Sequence, residues 1–200
     1  MTPIENLADL EAIYGVPVER SITKVVTQVT PHYRKWIEGS RFVVISTVGP
    51  DGTDGSPRGN DGAVVEILDE QTLLLPDWFG NNRIDTLRNI VSDDRMSLMF
   101  MSNSSTNVVR VNGTGCVTVD DALRARFAKK GKLPRSVIVM TIGEMYFQCA
   151  KALMRSELWK ANSNDALLPS AGDFLKERDA MFDSKTYDEG YVEYAKPKMW

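Results

Sequence analysis

The sequence predicts a mainly β fold with flanking helices, in which an antiparallel sheet closes wholly or partly into a barrel. Roughly six or seven short apolar segments of strand character run through the middle of the chain, separated by turns rich in Pro, Asp, Asn and Gly. A parallel sheet would need a crossover helix between successive strands, and most of these segments are joined directly. The chain has 200 residues, of which 42% are hydrophobic, so it can bury a substantial core.

Composition limits the possible classes of function. The formal net charge is −3, with acidic and basic residues mixed along the chain, so the sequence lacks the basic face that nucleic-acid binding requires. No apolar run is long enough to span a membrane, and the N-terminus lacks the apolar region of an export signal. Cys116 and Cys149 have no metal-ligand spacing. We interpret both as small core residues of a cytoplasmic protein and expect no metal site.

We expect a single domain over residues 1–200, because neither a linker nor an internal repeat interrupts the sequence. It would consist of an N-terminal helical arm at 1–39, a barrel at 40–150, and C-terminal helices with a tail at 151–200.

The N-terminal arm contains three predicted segments. Helical spacing of apolar residues predicts a helix at 5–14. Its inward side would consist of Leu7, Leu10, Ile13 and Tyr14. Residues 21–30 are ambiguous, because helical spacing competes there with the extended preference of valine and threonine, and we favour a helix. A third helix should begin after Thr30, since Pro31 suits the first helical position, and should end at Gly39.

The barrel and the C-terminal portion follow in order. The predicted strands span residues 42–48, 53–58, 63–68, 72–76, 96–101, 107–119 and 136–149. The predicted helices span residues 81–91, 121–130, 151–159 and about 170–182. The first two strands should form a hairpin, because Pro50, Asp51 and Gly52 between them make a β-turn sequence. Helical periodicity predicts that two apolar sets face inward. They are Ile84, Leu87, Ile90 and Val91 in the helix at 81–91, and Phe174, Leu175 and Met181 in the helix at about 170–182. The same periodicity predicts that Asp85, Arg88 and Asn89 face solvent.

The stretch from Leu73 to Val91 contains the first candidate site. Its strand should end at Pro76, and its helix should begin at Asn81 or Asn82, since asparagine is a favoured N-cap. Arg83 would then lie in the first helical turn, where it opposes the helix dipole but can hold an anion such as phosphate. The alternative is that Arg83 only pairs with a nearby carboxylate, Asp77 or Asp85.

A second arginine lies upstream in the SPRG segment. Arg58 falls at a strand end before Gly59, which permits close approach of backbone or ligand. Its planar guanidinium can grip two phosphate oxygens together. If the first hairpin lies beside the 72–76 strand, Arg58 and Arg83 could face one anion. The alternative is that Arg58 is an ordinary surface residue of a turn.

Several of these stretches resemble the flavoproteins related to pyridoxamine 5′-phosphate oxidase. The resemblance covers roughly residues 40–160 and is carried by FVVISTVGPDGTDGSPRG, LLLPDWFGNNRIDTLRNI, VRVNG and CAKALMRSELW. Within that family, the sequence is most similar to a bacterial subgroup that carries GNNR and CAKALMRS-type segments. The resemblance implies an FMN-binding split β-barrel, and a homodimer that holds FMN in each of two clefts between its subunits.

The resemblance also implies which residues contact the cofactor. Asn81, Asn82 and Arg83 match the phosphate-binding pattern, and Arg58 matches the strand-end arginine. Pro76 and Asp77 match residues beside the flavin. Lys151 and Arg155 lie four residues apart on one helical face and would form a cationic wall of the site. The candidate cofactor-binding residues are therefore Arg58, Gly59, Pro76, Asp77, Asn81, Asn82, Arg83, Val108, Lys151 and Arg155.

Two departures from the family pattern bear on function. Val108 stands where the oxidase has a glutamine against the flavin, and the C-terminal KPKMW does not match the oxidase's arginine–histidine substrate motif. The resemblance therefore implies an FMN-dependent oxidoreductase that acts on a small molecule other than pyridoxamine phosphate. The sequence identifies no catalytic residue. Two alternatives stay open: a non-catalytic protein that binds a flavin or another phosphorylated or tetrapyrrole ligand, and a deazaflavin-dependent reductase.

Overall fold

A computed structural model describes residues 1–160 and 168–199. Its core is one antiparallel sheet of seven strands in the order β2-β1-β5-β6-β7-β4-β3. The strands are β1 Phe42–Gly49, β2 Gly52–Gly59, β3 Glu66–Ile67, β4 Thr72–Asp77, β5 Arg95–Met101, β6 Val108–Thr118 and β7 Ser136–Gln148. The antiparallel, mainly β prediction is thereby confirmed.

The described residues form eight α-helices besides the sheet. They are α1 Leu7–Tyr14, α2 Glu19–Thr23, α3 Pro31–Gly39, α4 Asp85–Ser92, α5 Asp121–Ala125, α6 Lys151–Ser156, α7 Ala171–Arg178 and α8 Ser184–Ala195. A short 3₁₀ turn, Lys196–Lys198, follows α8. None of these helices combines the length and apolarity that crossing a bilayer requires.

The sheet curls until its two ends meet, which makes it the predicted split β-barrel. The strands β2 and β3 are the edges of the hydrogen-bonded sheet, and β4 lies next to β3. A guanidinium nitrogen of Arg58 on β2 is 2.8 Å from a carboxylate oxygen of Asp77 on β4. Inside the barrel, alternating strand residues such as Ile45, Leu98 and Val111 are almost fully buried. The Arg58–Asp77 pair thus bridges the gap that hydrogen bonds between strands leave open.

The longest ladder of the sheet joins β6 to β7. Its register shifts between Asn112 and Gly113, where the strands bend. A Cβ atom at Gly113 would lie 2.0 Å from the carbonyl oxygen of Thr141, so only glycine fits at this bend. Asp77 pairs with Ser136 at one end of β7, and Val108 pairs with Gln148 at the other. The two ends of β7 therefore belong to different parts of the surface.

The structure corrects the prediction for the helix after β4. The helix α4 begins at Asp85 rather than at Asn81 or Asn82. Ile90 is buried, whereas Ile84 and Val91 are exposed, so the buried side is rotated from the predicted one. Asn89, predicted on the solvent side, donates to the Thr47 hydroxyl at 3.1 Å. Its side chain occupies the space beside Gly49, which has no Cβ to block it. This polar contact with β1 accounts for the rotation of the buried side of α4.

The predicted packing of the terminal helices is wrong. The helix α1 forms close to the predicted place, but all four residues of its apolar side are exposed: Leu7, Leu10, Ile13 and Tyr14. The same holds for Phe174, Leu175 and Met181 around α7. The helix α8 was not predicted, because its segment has no clear apolar period. Of the predicted C-terminal portion 151–200, residues 161–167 and 200 lie outside the described residues.

Smaller corrections concern lengths and burial. The helix predicted over 21–30 ends at Thr23, and Val26 instead pairs with Met145 of β7. Pro76 does not end its strand, since β4 continues to Asp77. The strand at 63–68, the helix at 121–130 and the helix at 151–159 are shorter than predicted. Cys116 and Cys149, predicted in the core, are both exposed in this chain.

Candidate functional site

The candidate site is a cleft at the gap of the barrel, between the ends of β2 and β4 and the start of α4. It has a volume of about 290 Å³. One wall belongs to strands and carries Arg58 and Asp77, and the other is the loop at 78–84 that leads to α4. We call this segment the cradle loop, and Asn81, Asn82 and Arg83 of it line the cleft. The cleft therefore brings both predicted phosphate-binding arginines to one place.

Arg58 lies on the strand wall and is partly buried. One of its terminal nitrogens donates to Asp77 at 2.8 Å, and the side chains are 29% and 13% exposed respectively. The Nε atom of Arg58 is buried and has no hydrogen-bond partner among the described residues. A buried guanidinium N–H without an acceptor is costly, and none of the described residues supplies one.

The cradle loop is shaped by asparagine side chains. The Oδ1 atom of Asn81 accepts from the backbone N–H of Arg83 at 3.0 Å, which closes an Asx turn. Asn82 has a φ of 64°, a left-handed conformation that asparagine tolerates better than most residues. The N-cap position of α4 is Ile84, without a side-chain cap. The asparagines thus shape a turn before the helix instead of capping it, and the first N–H groups of α4 receive no side-chain cap.

Arg83 projects from the cradle loop and is 80% exposed. Its Nε donates to the Asp85 carboxylate at 2.5 Å, and this bond raises the pKa of the Arg83 guanidinium. The alternative in which Arg83 pairs with Asp85 is therefore realised. The pairing does not close the cleft, since both residues line it and the terminal nitrogens of Arg83 have no hydrogen-bond partner among the described residues. Those nitrogens are the ones an anion could reach.

The floor of the cleft carries a further carboxylate. Asp54 of β2 accepts from the Thr86 hydroxyl of α4 at 2.5 Å. This bond fastens the start of α4 to the barrel and occupies one oxygen of the carboxylate. With Asp77 bound to Arg58 as well, both carboxylates of the barrel wall already have partners. Asp77 and Asp54 thus position Arg58 and the start of α4 through hydrogen bonds within the protein.

Two further cavities adjoin the cleft. One, of about 160 Å³, lies on the other side of the Arg58–Asp77 bridge. Its lining includes Gly59, Asn60, Val64, Leu75, Pro76, Trp78, Ile138 and Met199. The other, of about 670 Å³, continues past Arg83 between α4 and the β1–β2 turn. The whole forms an elongated groove, so that a ligand anchored by an anionic group near Arg83 has room on both sides.

The predicted site residues divide into two groups. Seven surround the bridge: Arg58, Gly59, Pro76, Asp77, Asn81, Asn82 and Arg83. The other three, Val108, Lys151 and Arg155, lie at the far end of β7. β7 has 13 residues, so about 40 Å of strand separates the two groups. Within one chain, the three residues do not line the cleft.

One residue beside the cleft escaped the sequence analysis. Arg135 precedes β7, donates to the Oδ1 atom of Asn82 at 2.7 Å, and lies 4.3 Å from the ring centroid of Phe79. The segment KGKLPR carried no signal beyond that of a loop. Only the pairing of Ser136 with Asp77 brings Arg135 to the cradle loop, and this register is not readable from sequence.

The cleft is suited to binding an anion through arginines. Two guanidinium groups, the side chains of two asparagines and the uncapped start of α4 converge on it, which is a typical environment for phosphate. Among the described residues, no cluster of His, Cys, Asp and Glu could hold a metal ion. The residues that line the cleft likewise include no His, Cys, Lys or Tyr.

Fold and cleft together define a class of protein: a split antiparallel barrel with an arginine-lined groove at its gap. A family model described as pyridoxamine 5′-phosphate oxidase matches residues 29–149. This match covers more than half of the sequence, and the chain belongs to the pyridoxamine 5′-phosphate oxidase family. No curated protein matches the sequence significantly.

Solved structures are similar to this chain in fold. Two structures of HupZ from Group A Streptococcus, one of a variant, have TM-scores of 0.51 and 0.50 at 14% and 15% identity. They cover 60% and 58% of this chain and 99% and 91% of theirs. A Lactobacillus delbrueckii protein named as a pyridoxamine 5′-phosphate oxidase has a TM-score of 0.49 at 22% identity. The match covers 60% of this chain and 95% of that protein. At these identities the likeness concerns the fold alone.

Proposed function

We propose that the protein binds FMN in the cleft and acts as an FMN-dependent oxidoreductase on a small molecule. The observation that carries this proposal is that Arg58 and Arg83 line one cleft. The Nε atom of Arg58 also has no hydrogen-bond acceptor among the described residues. A phosphate monoester would supply several acceptor oxygens and two negative charges. Membership of the pyridoxamine 5′-phosphate oxidase family supports a flavin as the molecule that bears this phosphate.

The residues of the cleft would divide the work of binding. Arg58 and Arg83 would hold the phosphate from the strand wall and from the cradle loop, and Asn81 and Asn82 would complete its surroundings. Pro76 and Asp77, with Gly59 opposite, would lie beside the remainder of the cofactor. FMN, when bound, supplies the capacity to exchange hydride or single electrons with a substrate. The protein's own contribution is then position, charge and exclusion of water.

The proposal includes a homodimer, because three of the candidate residues lie away from the cleft of their own chain. Lys151 and Arg155 are exposed on α6, whereas Val108 at the start of β6 pairs with Gln148, shortly before α6, and is buried in its own chain. A second copy could bring this end of β7 to the cleft of the first. Each site would then be composite, with cations from both subunits around one cofactor.

Mixed dimers would test this composite arrangement. Arg83→Ala would damage the cleft of its own subunit, and Arg155→Ala the cleft of the partner. After random reassociation of the two variants, half of the dimers are mixed, and each mixed dimer has one site with both changes and one with neither. We therefore expect about a quarter of all sites to regain FMN affinity. Recovery would not occur if both residues served the same subunit's cleft.

The central experiment is an absorption spectrum of the purified protein, followed by titration with FMN. Flavin bands would identify the cofactor class and differ from those of a tetrapyrrole. Arg83→Ala should raise the dissociation constant for FMN by on the order of thirtyfold, because a hydrogen bond between two charged groups is lost. Arg95→Ala is the matched control, since Arg95 is also exposed and paired with an aspartate two residues away. Equal FMN affinity of the wild-type protein and both variants would refute the proposed cleft.

A second candidate function is binding of FMN without turnover, as a carrier or sensor. It is favoured by the lining of the cleft, where the carboxylates of Asp54, Asp77 and Asp85 are all hydrogen-bonded within the protein and no His, Cys, Lys, Tyr or Glu is present. Anaerobic mixing of the FMN-loaded protein with NADH or NADPH distinguishes the two. Rapid bleaching of the flavin supports the oxidoreductase, whereas a stable oxidised spectrum supports the carrier.

The third cavity argues for FMN over a deazaflavin with a polyanionic tail. A tail that continues past Arg83 would enter the cavity lined by Asp51, Asp54 and Asp85. Only Arg83 and Arg88 balance these carboxylates there, and Arg83 is already paired with Asp85. Like charges in such a groove would oppose the tail. Parallel titrations with FMN and with the deazaflavin should therefore favour FMN.

A further inference from the structure

The cradle loop depends on one residue outside it. The structure describes no backbone-to-backbone hydrogen bond made by residues 78–83, and the only internal bond of that stretch is the Asx turn between Asn81 and Arg83. A loop with so few bonds of its own samples many conformations unless other elements fix it. Its contacts with the rest of the chain therefore decide whether its polar groups stay directed at the cleft.

Arg135 makes those contacts from the start of β7. Its backbone N–H donates to the Asp77 carbonyl at 2.8 Å, which fixes its main chain beside the last residue of β4. Its side chain then spans the loop. The guanidinium lies over the ring of Phe79 with a distance of 4.3 Å to the centroid, and a terminal nitrogen donates to the Asn82 Oδ1 atom at 2.7 Å. One arginine thus holds the loop at two points.

The bond to Asn82 acts on a conformation that needs support. At a φ of 64°, Asn82 is in the left-handed region, which costs a non-glycine residue free energy. Asn82 is also part of the cleft lining, directly between Asn81 and Arg83. Release of its side chain would let this residue return to an extended conformation, and the neighbouring Asx turn and the direction of Arg83 would change with it.

We propose that Arg135 is a positioning residue that holds the cradle loop in the conformation that binds phosphate. It is not part of the cleft lining and acts through Asn82 and Phe79. The inference rests on the proposed binding of a phosphorylated flavin and adds the element that organises the phosphate end of that site. Without Arg135, the ligand itself would have to order the loop, and affinity for the phosphate would fall by that cost.

The test compares FMN with riboflavin, which has the same ring system and no phosphate. In Arg135→Ala, we expect the dissociation constant for FMN to rise by about tenfold while that for riboflavin changes by less than about twofold. Arg126→Ala is the control, because Arg126 belongs to the same β6–β7 connection but pairs with Glu66 away from the cradle loop. Hydrogen exchange of residues 78–84 without ligand should become faster in Arg135→Ala and not in Arg126→Ala.

A double-mutant cycle separates positioning from a general loss of stability. If Arg135 acts partly through Asn82, then Asn82→Ala and Arg135→Ala together should weaken FMN binding by clearly less than the sum of their separate free-energy effects. Full additivity would overturn the inference, as would an unchanged FMN-to-riboflavin ratio in Arg135→Ala. Wild-type protein that binds FMN no better than riboflavin would instead refute the proposed phosphate site. The two failures are therefore distinguishable.

Discussion

The two walls of the cleft carry the same kind of residue in contrasting settings. On the strand wall, Arg58 is partly buried, paired with Asp77, and part of the contact that closes the barrel. On the cradle loop, Arg83 is 80% exposed and paired only with its neighbour Asp85. Under the proposed function, the strand wall would therefore couple binding to folding, whereas the loop wall would contribute charge at little structural cost. We expect changes on the strand wall to affect both stability and FMN binding, and changes on the loop wall to affect FMN binding alone.

The largest effect is expected for Arg58→Ala. This change removes the bridge between β2 and β4, leaves the Asp77 carboxylate without its cation, and deletes one of the two arginines of the cleft. We expect the free energy of unfolding to fall by about 2 kcal/mol, which is below the value for a fully buried pair because both groups retain some exposure. FMN binding should be lost. Urea denaturation and FMN titration measure the two losses, and unchanged stability would remove the distinction between the walls.

Asp77→Asn should affect the two properties in opposite directions. The amide still accepts a hydrogen bond from Arg58, but the charge is lost, so we expect stability to fall by about 1 kcal/mol. Arg58 would then be free of a competing anion, and affinity for phosphate should rise. The measurement is protection against thermal unfolding by inorganic phosphate, compared with the wild-type protein. Weaker protection would mean that Asp77 orients Arg58 instead of competing for it.

Asn81→Ala examines the loop wall alone. It removes the acceptor of the Arg83 backbone N–H and so opens the Asx turn. Because this turn is exposed, the melting temperature should change little, whereas FMN affinity should fall by roughly fivefold as the loop loses order. Asn81→Ser retains a side-chain acceptor without adding a charge and serves as the geometric control. A large drop in melting temperature would show that the loop wall, too, supports the fold.

The smallest effect is expected at a pair remote from the cleft. Hydrogen bonds from the Arg95 side chain lower the pKa of Asp93 to about 2. A carboxylate whose pKa is lowered by folding stabilises the protein above its unfolded pKa, and this contribution disappears as the pH falls towards about 2. Asp93→Asn should therefore reduce stability slightly at neutral pH and flatten its decline in acid. FMN binding should stay unchanged at neutral pH. Asp93→Asn therefore shows the effect of losing an ion pair that has no part in the cleft.

The barrel was predictable from sequence, and its surroundings were not. Alternation of apolar residues and the Pro50-Asp51-Gly52 turn determine β1 and β2 locally, so their limits agree with the prediction. Helical spacing likewise predicted α1. It could not predict what α1 packs against, because spacing reports an apolar side and not a partner surface. Leu7 and Ile13 accordingly remain exposed in this chain.

The candidate site was predictable in its residues more than in its connections. A strand-end arginine before glycine and an Asn-Asn-Arg turn both have local causes, and both reach the same cleft. The bond from Arg58 to Asp77 and that from Arg135 to Asn82 depend on how distant strands align, which no local pattern records. The turn at Asn81 was mistaken for a helix cap because both use the same side-chain oxygen.

The contact that closes the barrel is also a wall of the cleft, and this affects the lifetime of the protein. A ligand that binds only the folded chain, present at about a hundred times its dissociation constant, would add about 2.7 kcal/mol to stability. Proteases degrade chains in proportion to the fraction that is open. If FMN is this ligand, as proposed, the steady-state level of the protein should fall at constant transcription in a growing culture starved of riboflavin, and restored vitamin supply should raise it again.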